Sequence, residues 1–529
     1  MAQQERYLLS GNEALALGAV DFGISLASGY PGTPSTEILE EFSRRKGRAQ
    51  WAPNEKVALE VGMGVAYGGG RALVTMKHVG LNVAADPLFV AAYTGVTGAL
   101  VLVSADEPGM SSSQNEQDNR HYARAAGLPM LEPSDSQQVY EYFQAAIEFS
   151  ERWEIPVLFR MTTRICHSKT VVSPHSFDIP PVKIAFERNI KERVMIPAHA
   201  RPAHQRLRQK LDDMQKWNEM SPLNQIIKGS SSLGIISSGI AYMHAREAAP
   251  DASFLKLALT YPLPMGKIRE FVAGVDRCVV IEEGDPYLVD AIRAAGITVE
   301  GKAEMYRFGE LNVNRVRRIL AGDVSEEAKS PPGKPPQLCQ GCPHSFVFDV
   351  LKKLDCTVSG DIGCYTLGAL PPYQALHFQT CMGASIGMGL GLRYVLPEEQ
   401  ARKVVSVIGD STFVHSGLTG LAEMVYTPPE TGHVLIIMDN GTTAMTGLQE
   451  HPGTGRTLDH QPTNKLVLEE VVRALGIARV FVYDPVKEKE QLEQTLVESL
   501  AGNDLTVIIT RRPCVLNAKK IKEYEKSQG

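Results

Sequence analysis

The sequence predicts an α/β protein, and three observations carry that prediction. Apolar runs of strand length recur along the chain: ALVTM (72–76), ALVLVS (99–104), LGIIS (233–237), CVVIEE (278–283), VVSVIG (404–409), VLIIMD (434–439) and TVIIT (506–510). Helical stretches containing Ala, Leu and Glu lie between them, and this alternation implies parallel sheets covered on both faces. The composition, 43% hydrophobic and 22% charged over 529 residues, is that of an ordinary globular chain long enough for three or more domains.

Taken in order, the elements divide at two breaks. Residues 186–228 are polar and rich in Arg, Lys and Gln, and read as a helical connector. Residues 323–338, DVSEEAKSPPGKPPQL, turn from charged to Pro-rich and read as a linker. Domains are therefore expected over 1–185, 229–322 and 339–529. No repeat or low-complexity tail is visible.

Lys+Arg is 54 and Asp+Glu is 60, a net charge of −6, which offers no basis for binding nucleic acid or a membrane surface. The N-terminus lacks the basic start and apolar run of a secretion signal, so a cytoplasmic protein is expected. Pro87 to Ala105 is uncharged between Asp86 and Asp106, but Tyr93, Thr94, Gly95, Thr97 and Gly98 interrupt it. It reads as a buried helix, a turn and a buried strand rather than a membrane span.

The eight cysteines are unevenly placed, with five between 339 and 381. Without an export signal, such clustering points to a metal or cluster site rather than disulfides. Cys339-Gln340-Gly341-Cys342-Pro343-His344 is a C-x-x-C turn followed by His, as in a zinc ribbon, with His344 a possible ligand. A second C-x-x-C pair is absent; Cys364 and Cys514 stand singly. A close pair with distant singles suits a [4Fe–4S] cluster on Cys339, Cys342, Cys364 and Cys514. Arg511 and Arg512 would offset its negative charge. Cys381 is the alternative fourth ligand, though its helix-like setting favours a buried structural thiol. Cys166, Cys278 and Cys356 read as core.

The strand VVSVIG runs into Gly409-Asp410-Ser411, and about 30 residues later VLIIMD ends at Asp439-Asn440-Gly441-Thr442. A helix is expected between them, over Gly417–Tyr426. Groups at two strand ends meet at the carboxyl edge of a parallel sheet, where such proteins bind ligands. The Asp410 carboxylate, the Asn440 carbonyl and the Thr442 main-chain carbonyl suit Mg²⁺ bridging a diphosphate, and Gly409 permits close approach. A lone Gly-Asp would be a plain strand end, but the paired signal resembles the thiamine-diphosphate motif, with Ser411 where Gly is usual.

Thiamine enzymes also need a buried Glu to hydrogen-bond the aminopyrimidine and stabilise its imino tautomer, which deprotonates the thiazolium ring. Glu55 fits, opening a helical stretch with small residues at Ala58 and Gly64, ahead of the strand RALVTM and Lys77-His78-Val79-Gly80. Glu60, five residues on, is the competitor on another helix face. Alone, either acid would be a helix-dipole partner.

Together these motifs resemble the 2-oxoacid:ferredoxin oxidoreductases, and within them the indolepyruvate ferredoxin oxidoreductase alpha subunits. The resemblance spans nearly the whole chain: Tyr30-Pro31-Gly32-Thr33-Pro34, Asn54-Glu55 to Gly64, Met76 to Asn82, Ser113 to Asp118, then CQGCPH, DIGCYTLG, GDSTFVHSG and DNGTTAMTG. It implies a thiamine-diphosphate-binding fold with a pyrimidine domain (1–185), a transketolase C-terminal-like domain (229–322) and a diphosphate and iron–sulfur domain (339–529). The cofactor would lie between the first and last domains, commonly from different copies, hence at least a homodimer.

The implied reaction joins a 2-oxo acid to coenzyme A with loss of CO₂ and reduction of an acceptor. Thr33 would contact the substrate, and Arg124 or Arg120 would hold its carboxylate, with Arg124 the favoured of the two; taken alone, either would read as a surface ion pair. Implied partners are a small beta catalytic subunit and ferredoxin or another iron–sulfur acceptor. The family's C-terminal ferredoxin-like domain is not seen after Cys514, so the relay is expected on another polypeptide or lost. The rival functions are a non-oxidative thiamine decarboxylase, opposed by the four cysteines, a non-catalytic iron–sulfur scaffold, opposed by Glu55, Asp410 and Asn440, and a zinc module.

Overall fold

The structure, a computed structural model, describes residues 5–175, 182–328 and 335–528. Residues 1–4, 176–181 and 329–334 lie outside it, and with them the start of the N-terminus and the middle of the expected linker. The chain folds as two compact units, 1–328 and 329–529.

The first unit contains a seven-stranded sheet. Its spatial order is Leu259–Tyr261, Met130–Leu131, Val157–Thr162, Ala99–Asp106, Arg71–Lys77, Leu26–Gly29 and Ala49–Trp51. All neighbours are parallel except Leu259–Tyr261, which runs antiparallel to Met130–Leu131. The two central strands are almost wholly buried, and the runs 72–74 and 99–103 within them are accordingly apolar. Helix Glu55–Tyr67 packs closely on them because Gly62 has no side chain; a Cβ there would lie 2.5 Å from Val74 Cγ2.

The expected break at Pro87–Ala105 resolves as read: helix Ala85–Thr94, a left-handed Gly95 at φ +63°, then strand Ala99–Asp106. No described helix is long and apolar enough to cross a membrane. The polar connector holds a short helix, Ile190–Arg193, and a long one, Pro197–Met220, but its end is not helical: Gln225–Ile227 is a strand. A four-stranded sheet follows, in the order Cys278–Ile281, Ser230–Ser237, Ala252–Lys256 and Gln225–Ile227. The strand expected over 278–283 stops at Ile281, because Glu282 and Glu283 turn into a buried ionic network.

That network joins the two sheets. Arg160 binds Asp106 at 2.7 Å and Glu132 at 2.5 Å. Arg120 binds Asp118, takes Glu282 Oε2 at 2.7 Å, and donates to the carbonyls of Glu283 and Asp285. Both arginine side chains are at most 5% exposed. Burial would push the Asp118 carboxyl up, but Arg120 and Arg160 hold it far below the usual carboxylate range. Arg120 is therefore saturated by structure, which removes it as the alternative substrate arginine. Arg124, one turn on in helix Arg120–Ala126, is exposed and acts electrostatically on Tyr261.

The second unit holds a five-stranded parallel sheet, ordered Thr357–Ser359, Val404–Gly409, His433–Asp439, Leu505–Arg511 and Arg479–Tyr483. Alternate residues of the same apolar run face opposite layers. Val434, Ile436 and Met438 pack towards helices Pro343–Lys353 and Lys489–Ala501. Leu435 and Ile437 pack towards helices Ala384–Val395, Leu418–Tyr426 and Leu468–Ala474. The helix expected over 417–426 starts earlier: helical turns run from Asp410 through a π-helical stretch at Phe413–Gly417. Such π-bulges inside helices often mark functional sites.

The two arginines make a direct test. Removing one partner of a buried ion network costs ~3–5 kcal/mol, whereas exposed positions away from such features change stability by ~0.5 kcal/mol or less. Arg120→Met should therefore lower the urea-unfolding midpoint of the first unit sharply, and Arg124→Ala should leave it nearly unchanged. Equal midpoints would show that the network carries no stability.

Candidate functional site

In the second unit, four adjacent parallel strands deliver the chemistry-bearing residues to one carboxyl edge. Thr357–Ser359 leads to Asp361 and Cys364, Val404–Gly409 to Asp410, His433–Asp439 to Asn440, and Leu505–Arg511 to Cys514. The last two loops stay hydrogen-bonded beyond the strands. Arg512 N donates to the Asp439 carbonyl at 3.0 Å, and Cys514 N to the Asn440 carbonyl at 2.9 Å. The thiol loop and the amide loop are thus one piece of backbone structure.

Asp410 is buried at the start of its helix. Its Oδ1 accepts from Ser411 N at 2.9 Å, and its Oδ2 from Gly441 N at 2.9 Å, with His451 Nε2 3.2 Å from Oδ2. Burial would push the carboxyl up, but His451 and these amides outweigh it and hold Asp410 below its ordinary value. Asn440 Oδ1 accepts from Thr442 N at 3.1 Å. A Cβ on Gly409 would lie 2.7 Å from the Tyr365 ring, so only glycine fits there.

The donors fit Mg²⁺ with a diphosphate. They are hard oxygens, and Asp410 Oδ1 and Asn440 Oδ1 each keep a lone pair after their amide bonds. Asp439, next in line, is pushed above the usual carboxylate range by burial and by Asp410, although Arg511 pairs with it at 2.7 Å. Among the described residues, no three His, Cys, Asp or Glu side chains converge on one ion. That is compatible with a site whose remaining ligands come from the diphosphate.

Cys339, Cys342, Cys364 and Cys514 come together. The thiols of Cys339 and Cys514 act on Cys342, and those of Cys514, Cys342 and Cys339 act on Cys364. Burial and this mutual repulsion push Cys342 and Cys364 each up to about 11. Cys514 is likewise raised, by burial, Cys339 and Asp410. The pair is shaped by a tight turn: Cys342 N donates to Cys339 O at 3.0 Å, with Gly341 at φ +75° in the third position. Pro343 then opens helix Pro343–Lys353. Cubane ligands bind four different irons, so a fitting set need not converge on one point as the ligands of a single ion must.

Three expectations change here. Cys381 is exposed in a bend before helix Ala384–Val395, not a buried helical thiol, and only Asp361 acts on its charge. His344, the possible zinc ligand, is engaged by the amide loop instead. It is buried, its Nε2 takes Asn440 Nδ2 at 3.3 Å, and its ring meets Tyr365 edge-on at 5.9 Å. Burial pushes it down to about 4, so it is neutral. Arg511 binds Asp439 and Glu469, and Arg512 binds Asp484. Both arginines are committed to carboxylates rather than to the thiols.

In the first unit, Asn54 caps helix Glu55–Tyr67 by accepting from Val57 N at 2.9 Å, and this places Glu55 in the first turn. Glu55 is 5% exposed, and its carboxylate rests on the backbone of Gly80; a Cβ there would lie 2.6 Å from Glu55 Oε1. Glu60 instead points outward, 44% exposed and paired with Lys56. Thr33 is half-buried after Gly32, and Lys77, ending its strand, lays its stem across Gly32.

His451, Tyr365 and Asp361 were not picked out as site residues by sequence. Asp361 is fully buried and accepts from Gly383 N and Ser385 N at the start of helix Ala384–Val395. The usable signal for His451 was the length of the segment after Asn440, with no strand or helix before Leu468. Loops longer than ~12–15 residues are uncommon unless functional.

The comparisons with known proteins agree with this layout. Residues 17–221 match the family described as pyruvate flavodoxin/ferredoxin oxidoreductase, thiamine diP-binding, and residues 361–510 match the thiamine pyrophosphate enzyme C-terminal TPP-binding domain. The indolepyruvate oxidoreductase subunit IorA of Archaeoglobus fulgidus is 39% identical over 99% of this chain and 89% of its own. That of Pyrococcus abyssi is 36% identical over 97% and 86%. The solved 2-oxoglutarate:ferredoxin oxidoreductase from Magnetococcus marinus shares the fold, with a TM-score of 0.52 and 16% identity, over 61% of this chain and 66% of that one. The chain belongs to the indolepyruvate oxidoreductase subunit IorA family, within the thiamine-diphosphate-dependent 2-oxoacid:ferredoxin oxidoreductases.

Proposed function

We propose that this chain is the large subunit of an arylpyruvate oxidoreductase. It would convert a 2-oxo acid and coenzyme A to acyl-coenzyme A and CO₂, releasing one proton and two electrons. The electrons would leave through a [4Fe–4S] cluster on Cys339, Cys342, Cys364 and Cys514 to ferredoxin or another iron–sulfur acceptor. The observation that carries the oxidative reading is the gathering of these four thiols at the sheet edge that also bears Asp410 and Asn440. A non-oxidative decarboxylase has no use for them.

The residues take the following parts. Asp410, Asn440 and the Thr442 carbonyl would hold Mg²⁺, with Gly409 and Ser411 close to the diphosphate. Glu55 would hydrogen-bond the aminopyrimidine, and Thr33 the substrate. Thiamine diphosphate, when bound, supplies the electron sink for decarboxylation. The arylpyruvate preference is supported by the relatives' name, and the coenzyme A role by the bound coenzyme A in the Magnetococcus marinus structure. A second copy of this chain and a small beta subunit would complete the assembly.

Three outcomes are expected. Asp410→Ala should abolish thiamine diphosphate binding in calorimetry, because two phosphates facing buried carbonyls would lack their metal. Unchanged affinity would refute the Mg²⁺ assignment. Glu55→Gln should bind the cofactor yet lose turnover by the ~10²–10⁴-fold typical of acid–base groups. Gly80→Ala should do the same by displacing Glu55, and Glu60→Gln should stay active; an inactive Glu60→Gln beside an active Glu55→Gln would reverse the assignment. In anaerobic preparations, Cys514→Ala should lose iron and acid-labile sulfide while Cys381→Ala keeps about four irons per chain, as a cubane requires. Zinc without sulfide in the wild type would remove the oxidoreductase chemistry altogether.

A further inference from the structure

The favoured substrate arginine, Arg124, is exposed, and Arg120 is spent on Asp118 and Glu282. Arg160 is spent on Asp106 and Glu132. Arg124 has no ion pair among the described residues and stays available to a carboxylate, and the carboxyl edge of the sheet offers one further cation beside Thr33.

Lys77 is the last residue of the central strand Arg71–Lys77, at the carboxyl edge of the sheet. Its parallel neighbours are Leu26–Gly29, which leads to Thr33, and Ala99–Asp106, which leads to Glu107. Its stem lies on Gly32; a Cβ on that glycine would be 3.1 Å from Lys77 Cγ. Glu55 acts electrostatically on the same ammonium. The side chain is 13% exposed. Enclosing an ammonium is costly unless its donors are met.

They are met poorly. Among the described residues, Nζ has Glu107 Oε2 at 3.6 Å and the Ser112 carbonyl at 3.4 Å, both long for a group with three donors. Glu107 is itself held elsewhere: Oε1 accepts from Ser112 N and Oγ at 2.8 and 2.9 Å, and Oε2 from Ser113 Oγ. It tethers its loop more than it pairs with Lys77. Burial accordingly pushes Lys77 below its ordinary value, and Glu107 and Glu55 restore only part.

We propose that the Lys77 ammonium receives the carboxylate of the 2-oxo acid, next to Thr33 and on the Glu55 side of the pocket. This inference rests on the proposed function. An ammonium suits a carboxylate that leaves as CO₂, since a point-charge donor imposes no fixed fork geometry.

The test uses the complete complex, with a viologen acceptor, a 2-oxo acid and coenzyme A. Loss of a charge-assisted pair predicts a ~10–100-fold fall in kcat/KM for Lys77→Met, with thiamine diphosphate affinity unchanged. Lys77→Arg should recover part of the loss. Inhibition separates charge from folding: the Ki of a 2-hydroxy acid should rise in Lys77→Met, while that of its neutral amide stays put. A Ki ratio that does not move, or loss of carboxylate discrimination in Arg124→Ala instead, overturns the assignment while leaving the proposed function standing. A wild-type complex that turns over no 2-oxo acid overturns both.

Discussion

A parallel strand buried on both faces can present polar chemistry only at its ends. That constraint governs both units. In the second, the ladder pairs Met438 with Gly409 and with Thr510, so three strands end level with one another. Asp410, Asn440 and Cys514 follow those ends, and the bonds from Arg512 N and Cys514 N to the next two carbonyls extend the ladder past the sheet. Loops far apart in sequence are thereby held in register by backbone alone. Side chains need only have the right identity.

The same constraint produces a surplus of buried charge, which the two units resolve differently. In the first unit, Asp106, Asp118, Glu132 and Glu282 share two arginines, Arg120 and Arg160, whose planar forks each serve several acceptors, while burial still pushes Asp106 and Glu282 up. The result is a structural joint between the seven-stranded and four-stranded sheets. In the second unit, Asp439 is matched by Arg511, but Asp410 has only His451 and backbone amides. Negative charge left partly unmatched at a ligand edge favours a cation there, and magnesium is the occupant proposed above.

Much of this was legible in the sequence because the signals were local. Gly409-Asp410 and Asn440-Gly441 sit at the ends of apolar runs whose period and length name them as strands. Glu55 stands apart from Glu60 by its spacing from Ala58 and Gly64 and its different helix face; in the structure the Asn54 cap sets a register that buries the first acid and exposes the second. The fates of the arginines were not legible. Arg120 meets Glu282, and Arg511 meets Glu469, across distances in sequence that no window spans. Nor could sequence tell that Cys381 would fall in an exposed bend, since the apolar residues that suggest a helix begin at Ala384. Lys77 looked like one more residue of a motif. Its significance lies in contacts it makes poorly, and unmet donors leave no trace in composition.

The thiols carry the last step. Cys342 and Cys364 are each pushed up to about 11, and Cys514 is raised as well, because each is buried among the others. At neutral pH Cys342 and Cys364 stay protonated and are poor nucleophiles, and a metal bound among them would ionise them on binding. Only as thiolates would the four repel one another and Asp410, so the ionised set calls for a cation among them. His344, the one ring that could have made this a zinc site, is turned towards Asn440 and kept neutral. That links the cysteine turn to the amide loop through a single helix, Pro343–Lys353, which starts at the turn and carries His344 in its first residues. The two loops that would hold the cofactor and the cluster are thereby joined by one helix and one side-chain contact, from His344 to Asn440.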